Sequence, residues 1–265
     1  MLLLAIVTLA GCSSFPFGHD DRRSADAIAH RAGMHAHFET AGQFVLLSYR
    51  RGLRSSSTTV HVYIEGDGRA WPAGRAPRNP TPSNPMGLRL AAQDPAPAVL
   101  WIGRPCMYLP KPAADRCAPK WWTSHRYADT VVDAINTVIT HAVGTRNVML
   151  IGHSGGGALA ALVASRRDDV TALLTVSSPL DLRYWTELGG MTPLYGSLSP
   201  LDVAHLLAAL PQRHLVGSAD RVVPAEVVRR FMRALPSPTR AQLQVITGFT
   251  HQCCWERDWP QLLIP

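Results

Sequence analysis

A sharp turn between a buried strand and a helix of small residues restricts the fold of this sequence more than any other feature. Residues 148–151 are a continuous apolar run, typical of a strand covered on both faces of a parallel sheet. Residues 152–156, Gly-His-Ser-Gly-Gly, match the pattern G-x-S-x-G, and the small residues 158–161 follow. The glycines are needed because a Cβ would collide with the neighbouring strand and helix. The turn therefore predicts a strained backbone at Ser154, with its hydroxyl exposed.

This turn also has a chemical consequence, because the helix behind Ser154 presents backbone N–H groups and the positive end of its dipole. Such groups stabilise the oxyanion that forms when a serine hydroxyl attacks a carbonyl carbon. A glycine-rich phosphate-binding turn is the alternative interpretation. The sequence lacks both the Lys-Ser/Thr pair of a P-loop and the G-x-G-x-x-G spacing of a dinucleotide site. A nucleophilic serine is therefore the favoured interpretation.

Segments with strand and helix patterns alternate around this turn. Strands are expected at residues 35–39, 44–50, 58–64, 99–102, 148–151, 170–176, 214–216 and 243–246. Helices are expected from Ser124, as N-cap, through the periodic apolar residues 131–139, and again at 158–165 and about 224–235. Strands connected by helices form a mostly parallel sheet with right-handed crossovers. The first strands have no helix between them, so that edge is expected to be antiparallel.

In this context, residues from about 44 to 255 resemble the α/β-hydrolase family of serine hydrolases, in particular exported bacterial members. The resemblance implies one domain over residues 35–265, with a mostly parallel central sheet and helices on both faces. It also implies that Ser154 is the nucleophile and that an acid and a histidine follow it in the chain.

The two partners of Ser154 are assigned by position. A serine hydroxyl needs a base to take its proton, and the base needs a carboxylate to orient it. His251 follows the last expected strand and matches the family's catalytic histidine. Asp220 lies in a short loop before Pro224 and matches the family's acid, while Asp181, after the preceding strand, is its rival because some members carry the acid there.

The segment Glu-Gly-Asp-Gly at residues 65–68 stands where many family members have His-Gly-x-Gly. By that match the backbone N–H of Asp67 would bind the oxyanion together with the N–H of Gly155. Gly66 and Gly68 remain alternative donors. The Asp67 carboxylate is expected to face away, because a negative group beside an oxyanion is unfavourable.

The expected activity is hydrolysis of an ester, or less favourably an amide or thioester, through an acyl-enzyme. The substrate would be a small or acylated molecule, and no metal or organic cofactor is implied. Acyl transfer to an alcohol remains an alternative, as does a non-catalytic binding or assembly protein on the same fold. Irregular segments at 69–97 and 104–122 are expected to shape the pocket with the tryptophans they carry or adjoin, Trp71, Trp101, Trp121 and Trp122.

Composition supports a globular domain, since 46% of the 265 residues are hydrophobic and 17% are charged. The formal net charge is +7. Proteins that bind nucleic acid usually concentrate Lys and Arg on one face or in one run. Here the basic residues are scattered, with no local group longer than pairs such as Arg50-Arg51, so no nucleic-acid partner is expected.

The N-terminus predicts export. Residues 2–9 are apolar except for Thr8, a run too short to span a bilayer but suited to a signal peptide over residues 1–11. The ending Leu-Ala-Gly-Cys resembles the lipobox of bacterial lipoproteins, although no Lys or Arg follows Met1. The resemblance implies that Cys12 is acylated and anchors the chain to a bacterial membrane. Ser13 is compatible with sorting to the outer membrane, on the periplasmic side. Residues 12–34 would then form a tether and N-terminal segment.

Export would place the other four cysteines where disulfides persist, and four cysteines allow three connectivities. Cys106 and Cys117 flank a proline-rich loop and are expected to pair, which leaves Cys253 and Cys254 to each other. Cross-pairing between the two groups is the alternative. The spacing offers no Cys-x-x-Cys motif or nearby histidine pair of the kind that binds zinc.

The lipobox leads to a prediction about the mature chain. Intact-mass analysis of membrane fractions should find a protein that begins at an acylated Cys12. A soluble mature protein with an unmodified Cys12 would contradict the prediction.

Overall fold

The structure is a computed structural model that describes residues 20–70, 76–110 and 113–263. The expected signal peptide, residues 12–19 of the expected tether and N-terminal segment, Cys12 among them, and Trp71 lie outside these residues. The described residues form one eight-stranded sheet. In chain order, the elements are α1 (Asp20–Arg31), β1 (His35–Ala41), β2 (Phe44–Arg51), β3 (Thr59–Ile64), α2 (Met86–Gln93), β4 (Val99–Ile102), α3 (Asp129–Val143), β5 (Asn147–His153), α4 (Gly155–Ala164), β6 (Val170–Val176), α5 (Leu182–Leu188), β7 (Gln212–Gly217), α6 (Ala225–Ala234), β8 (Ala241–Ile246) and α7 (Trp255–Leu263).

The strand order is β1-β2-β4-β3-β5-β6-β7-β8. The pairs β1–β2 and β2–β4 are antiparallel, and all other pairs are parallel, which confirms the expected mostly parallel sheet with an antiparallel edge. All four residues of β4 are buried, as its continuous apolar run indicates. One apolar cluster packs α3, α4 and α6 on one face of the sheet, and another packs α1, α2 and α7 on the opposite face.

Several helices differ from the sequence-based expectation. Helix α3 begins after Ala128, so the prediction of Ser124 as its N-cap is wrong. The Ser124 hydroxyl instead contacts Nδ1 of His125 at 2.8 Å. Helix α1 lies within residues 12–34, for which the sequence predicts a tether and N-terminal segment and no helix. Helices α2, α5 and α7 were also missed, and α7 contains Pro260.

Helices α2 and α7 pack side by side and are connected by polar contacts. Arg89 of α2 forms an ion pair with Glu256 of α7 at 3.2 Å. Just before these helices, Asn84 donates to the side chain of Gln252 at 3.0 Å. The indole N–H of Trp259 donates to the hydroxyl of Tyr63 on β3 at 2.9 Å, which fixes α7 to the sheet. None of the described helices is both long and apolar enough to cross a membrane.

The structure pairs Cys106 with Cys117, with their Cα atoms 5.7 Å apart, and Cys253 with Cys254. The first bridge closes a loop with a sequence separation of 11 residues. In the chain-entropy model, closing a loop of this size stabilises the folded state by about 3 kcal/mol.

We therefore predict that replacing both Cys106 and Cys117 with Ser lowers the free energy of unfolding in urea by about 3 kcal/mol. The matched pair Cys253→Ser and Cys254→Ser opens a much smaller loop and should cost less. Peptide mapping without reduction should join the segments around residues 106 and 117. A peptide that joins residue 106 or 117 to the 253–254 segment would contradict this pairing.

A buried histidine in β7 leads to a prediction about the pH dependence of stability. His214 is fully buried, its Nδ1 contacts the Thr175 hydroxyl at 2.8 Å, and burial lowers its pKa to about 3. The unfolded chain takes up a proton near pH 6.5, but the folded chain does not until near pH 3. The burial of neutral His214 therefore does not reduce the free energy of unfolding above about pH 6.5. As the pH drops from there toward 3, the free energy of unfolding falls by about 1.4 kcal/mol per pH unit for this one proton.

Urea unfolding between pH 4 and pH 6 tests this difference in proton uptake. In His214→Gln, the free energy of unfolding should depend less steeply on pH, because about one proton fewer is taken up on unfolding. His205→Gln, which replaces an exposed histidine, should leave the slope nearly unchanged. Equal slopes for wild type and His214→Gln would refute the role of His214.

Candidate active site

Ser154 lies at the turn between β5 and α4, with φ of 53° and ψ of −131°. A positive φ is uncommon outside glycine, and the surrounding contacts maintain it here. The Ser154 N–H donates to the carbonyl of Val176 at 2.8 Å. A Cβ on Gly156 would lie 2.0 Å from the carbonyl oxygen of Ile64, and one on Gly152 would lie 2.3 Å from the backbone of Gly156. The glycines thus allow β3, β5 and α4 to meet at Ser154.

Three side chains that are distant in sequence form a hydrogen-bonded series at this point. The Ser154 hydroxyl lies 3.1 Å from Nε2 of His251, and Nδ1 of His251 lies 2.9 Å from a carboxylate oxygen of Asp220. A carboxylate only accepts hydrogen bonds, so Nδ1 carries the proton in this contact. In the neutral ring Nε2 is then free to accept the serine proton.

The second oxygen of Asp220 is also held in place. It accepts the backbone N–H groups of Val222 at 2.8 Å and Val223 at 2.9 Å. Burial alone would raise the pKa of Asp220, but the hydrogen bond and charge of His251, together with the backbone donors, lower it on balance. The carboxylate therefore stays ionised and fixed while it orients His251.

The rival acid, Asp181, has a different role in the structure. One of its oxygens accepts the N–H of Tyr184 at 3.0 Å as the N-cap of α5, and the other accepts Nε of Arg230 at 2.7 Å. Both oxygens are thus used to start α5 and fix it to α6. No contact joins Asp181 to His251 among the described residues.

His153 also contributes to the site, in a way that the sequence did not indicate. It is buried beside Ser154, and its Nε2 lies 2.8 Å from the backbone carbonyl of His251. Burial, reinforced by the nearby His251 ring, lowers the pKa of His153 to about 3. The ring is therefore neutral near pH 7, and its Nε2–H donates to the carbonyl and positions the His251 segment.

The segment 65–68 lies directly beside Ser154, since a Cβ on Gly66 would be 3.6 Å from the Ser154 Cβ. The N–H of Gly66 donates to the Glu65 carboxylate at 3.0 Å, so it is not available to an oxyanion. Within the described ranges, the N–H groups of Asp67, Gly68 and Gly155 have no protein acceptor, so Gly68 stays an alternative donor to Asp67. Gly155 is the first residue of α4, where an N–H has no partner inside the helix.

Glu65, at the position where many α/β-hydrolases have His, has an anchoring role. Its buried carboxylate accepts the N–H groups of Gly66, Gly87 and Leu88 and the indole N–H of Trp101, at 3.0 to 3.2 Å. Burial raises the pKa of Glu65, and these donors offset part of that effect. Gly87 and Leu88 open α2, so Glu65 fixes the segment 65–68 to the N-terminus of that helix.

The Asp67 carboxylate is neutralised by two arginines. One oxygen accepts Arg104 Nη1 at 2.7 Å, and the other accepts Arg126 Nη1 at 3.0 Å and the Tyr127 hydroxyl at 2.7 Å. Burial favours a raised pKa, but the charges of Arg126 and Arg104 and the Tyr127 hydrogen bond bring the pKa of Asp67 down to about 2. A Cβ on Gly155 would lie 2.0 Å from this carboxylate, so only glycine fits there.

A cavity of about 480 Å³ opens over Ser154. Segment 65–70, Arg126, Trp185, Met191 and His251 contribute to its walls. Of the tryptophans expected to shape the pocket, the three that the structure describes do not line this cavity. Trp101 and Trp122 are buried, and Trp121 packs edge-on against Phe44 with ring centroids 5.1 Å apart. Their apolar surfaces support the core instead.

Residues 123–200 match the profile of the PGAP1-like alpha/beta domain family. That segment includes Ser154 but neither Asp220 nor His251. No curated protein has significant sequence similarity to the chain.

Solved structures match over most of the chain. An alpha-beta serine hydrolase homologue from Coxiella burnetii has a TM-score of 0.58 at 17% identity, over 86% of this chain and 93% of its own. The esterase domain of a Rhodothermus marinus protein has a TM-score of 0.59 at 12% identity, over 86% and 94%. A serine hydrolase without a lid from Xanthomonas campestris has a TM-score of 0.54 at 13% identity, over 86% and 89%. The protein therefore has the α/β-hydrolase fold.

Proposed function

We propose that the protein is a serine hydrolase that cleaves carboxylic esters through an acyl-enzyme. The observation that carries the proposal is the contact of the Ser154 hydroxyl with Nε2 of His251, whose Nδ1 contacts Asp220. A nucleophile hydrogen-bonded to a base, which is in turn hydrogen-bonded to an orienting carboxylate, forms a catalytic triad. The names of the similar structures, a serine hydrolase homologue and an esterase domain among them, agree with this activity.

In the first half of the reaction, Nε2 of His251 accepts the hydroxyl proton as the Ser154 oxygen attacks the ester carbonyl carbon. The carbonyl oxygen becomes an oxyanion, which the free N–H groups of Gly155 and Asp67 bind. The protonated ring of His251, stabilised by Asp220, then gives its proton to the departing alcohol oxygen. The carbon–oxygen bond breaks, and the acyl group remains on Ser154.

Water completes the second half. His251 takes a proton from a water molecule, whose oxygen attacks the acyl carbon and forms a second oxyanion in the same position. The intermediate collapses, Ser154 recovers its proton from His251, and the free acid leaves. Arg104 and Arg126 neutralise Asp67, so its carboxylate imposes little net repulsion on either oxyanion.

We further propose that Cys12 anchors this enzyme to the outer membrane on its periplasmic side. The lipobox resemblance supports this location, and the anchored enzyme would act on acylated molecules at or near the membrane surface.

The triad leads to a graded prediction about activity on p-nitrophenyl butyrate. Ser154→Ala and His251→Ala should each lower kcat by about 10⁴ to 10⁶, and the double variant should be little worse, because the residues act as a unit. A fluorophosphonate probe should label wild type but not Ser154→Ala. Full activity in Ser154→Ala would refute the mechanism, and a folded wild type with neither labelling nor hydrolysis would favour a binding protein.

A matched pair of aspartate variants tests the assignment of the acid. Asp220→Asn keeps the shape of the side chain but favours the wrong tautomer of His251, so kcat should fall by about 10⁴. Asp181→Asn weakens only the start of α5 and the contact with Arg230, so kcat should change less than tenfold. Circular dichroism checks that both variants are folded. The reverse order of effects would transfer the acid role to Asp181.

A further inference from the structure

A second cavity, of about 390 Å³, adjoins the cavity over Ser154. The two cavities have three wall residues in common: Arg126, Trp185 and Met191. The two cavities therefore lie on either side of this shared wall. We call this second cavity the side cavity.

The walls of the side cavity suit an apolar occupant. Trp185, Met191, Pro193 and Leu194 contribute apolar surface. The polar groups on the shared wall are largely engaged. The Trp185 indole N–H donates to the Val222 carbonyl at 2.8 Å, and the Arg126 guanidinium donates to the Thr123 carbonyl at 2.8 Å and to Asp67 at 3.0 Å. The Arg126 guanidinium is therefore held by Asp67 and the Thr123 carbonyl, and apolar surface predominates on the rest of the wall.

The position of the side cavity distinguishes the two halves of an ester. The leaving oxygen must lie beside His251 Nε2 to receive its proton, so the alcohol half occupies the His251 side of the Ser154 cavity. His251 and Gln252 line that cavity but not the side cavity. The side cavity instead adjoins Arg126, which contacts Asp67 of the proposed oxyanion-binding pair. Because Arg126 lines both cavities and His251 lines only the Ser154 cavity, we assign the side cavity to the acyl half.

The chain segment that carries Met191 also exposes several large apolar side chains. Four of the eight large hydrophobic side chains that are exposed in the described part of the chain lie between residues 188 and 198: Leu188, Met191, Tyr195 and Leu198. A fifth, Val222, lines the Ser154 cavity. Met191 and Val222 thus expose apolar surface at the wall of the Ser154 cavity.

We propose that the side cavity is the acyl-binding subsite and that it gives the enzyme a preference for linear medium-chain acyl groups. This assignment rests on the proposed ester hydrolysis at Ser154. Trp185 and Met191 line both cavities, whereas Thr192 lines only the side cavity. Thr192 is exposed, and a larger side chain can be added there without disturbing the core.

Hydrolysis of p-nitrophenyl acetate, butyrate, hexanoate and octanoate tests the subsite. In wild type, kcat/KM should rise at least tenfold from acetate to octanoate. Thr192→Trp fills the side cavity, so kcat/KM for octanoate should fall at least tenfold while the value for acetate stays within threefold. Thr192→Phe fills less of the side cavity and should lower kcat/KM for octanoate by an intermediate factor. This variant tests the subsite if the tryptophan variant does not fold.

Thr145→Trp is the matched control, because Thr145 is exposed in the turn before β5, at the end of that strand opposite Ser154. Its chain-length profile should equal that of wild type. An unchanged profile in both Thr192 variants would overturn the subsite while leaving the proposed hydrolase activity intact. Octyl acetate is measured beside this panel, and a loss in the Thr192 variants confined to octyl acetate would assign the side cavity to the alcohol half and overturn the acyl assignment. Wild type without activity on any ester would overturn the proposed function itself.

Discussion

The close contact between the end of β3 and the start of α4 determines the arrangement of the active site. The Ile64 carbonyl oxygen lies where a Cβ of Gly156 would otherwise be, so the strand and the helix approach at backbone distance. The segment 65–68 follows β3 directly after Ile64 and therefore lies beside Ser154. The same contact sets the strained backbone of Ser154 and the position of the proposed oxyanion donors. A side chain at Gly156 would separate the nucleophile from these donors as well as strain the turn.

Much of the sheet could be predicted because its elements have strong local patterns. The central strands are continuous apolar runs, and α3 repeats its apolar residues at helical spacing, so both patterns identify the element without tertiary information. Helices α2 and α5 have only eight and seven residues, too short for periodicity to stand out from their irregular surroundings. Helix α7 contains Pro260, which argues against a helix by local rules. Tertiary packing of Trp255 and Trp259 in the core compensates for that local preference.

The candidate site likewise contains residues that the sequence could predict and residues that it could not. The positions of Ser154, Asp220 and His251 follow from chain order relative to the strands, so the sequence suggested all three, and the structure brings them within hydrogen-bonding distance. The groups that support them have no such local pattern. Arg104 and Arg126 approach Asp67 from 37 and 59 residues away, and His153 reaches a backbone carbonyl 98 residues away. Backbone carbonyls occur at every position, so no residue type in the sequence could identify this last contact.

The packing of α2 against α7 has a consequence for how activity is lost under stress. The N-terminus of α2 holds Glu65 and hence the proposed oxyanion donors, while α7 follows the turn that carries His251. The ion pair between Arg89 and Glu256 and the contact between Asn84 and Gln252 connect these two supports. The two helices also share one apolar cluster, and elements packed in this way tend to open as one cooperative unit. A partial opening of this layer would displace the base and the oxyanion donors at once, so inactivation would precede the melting of the sheet.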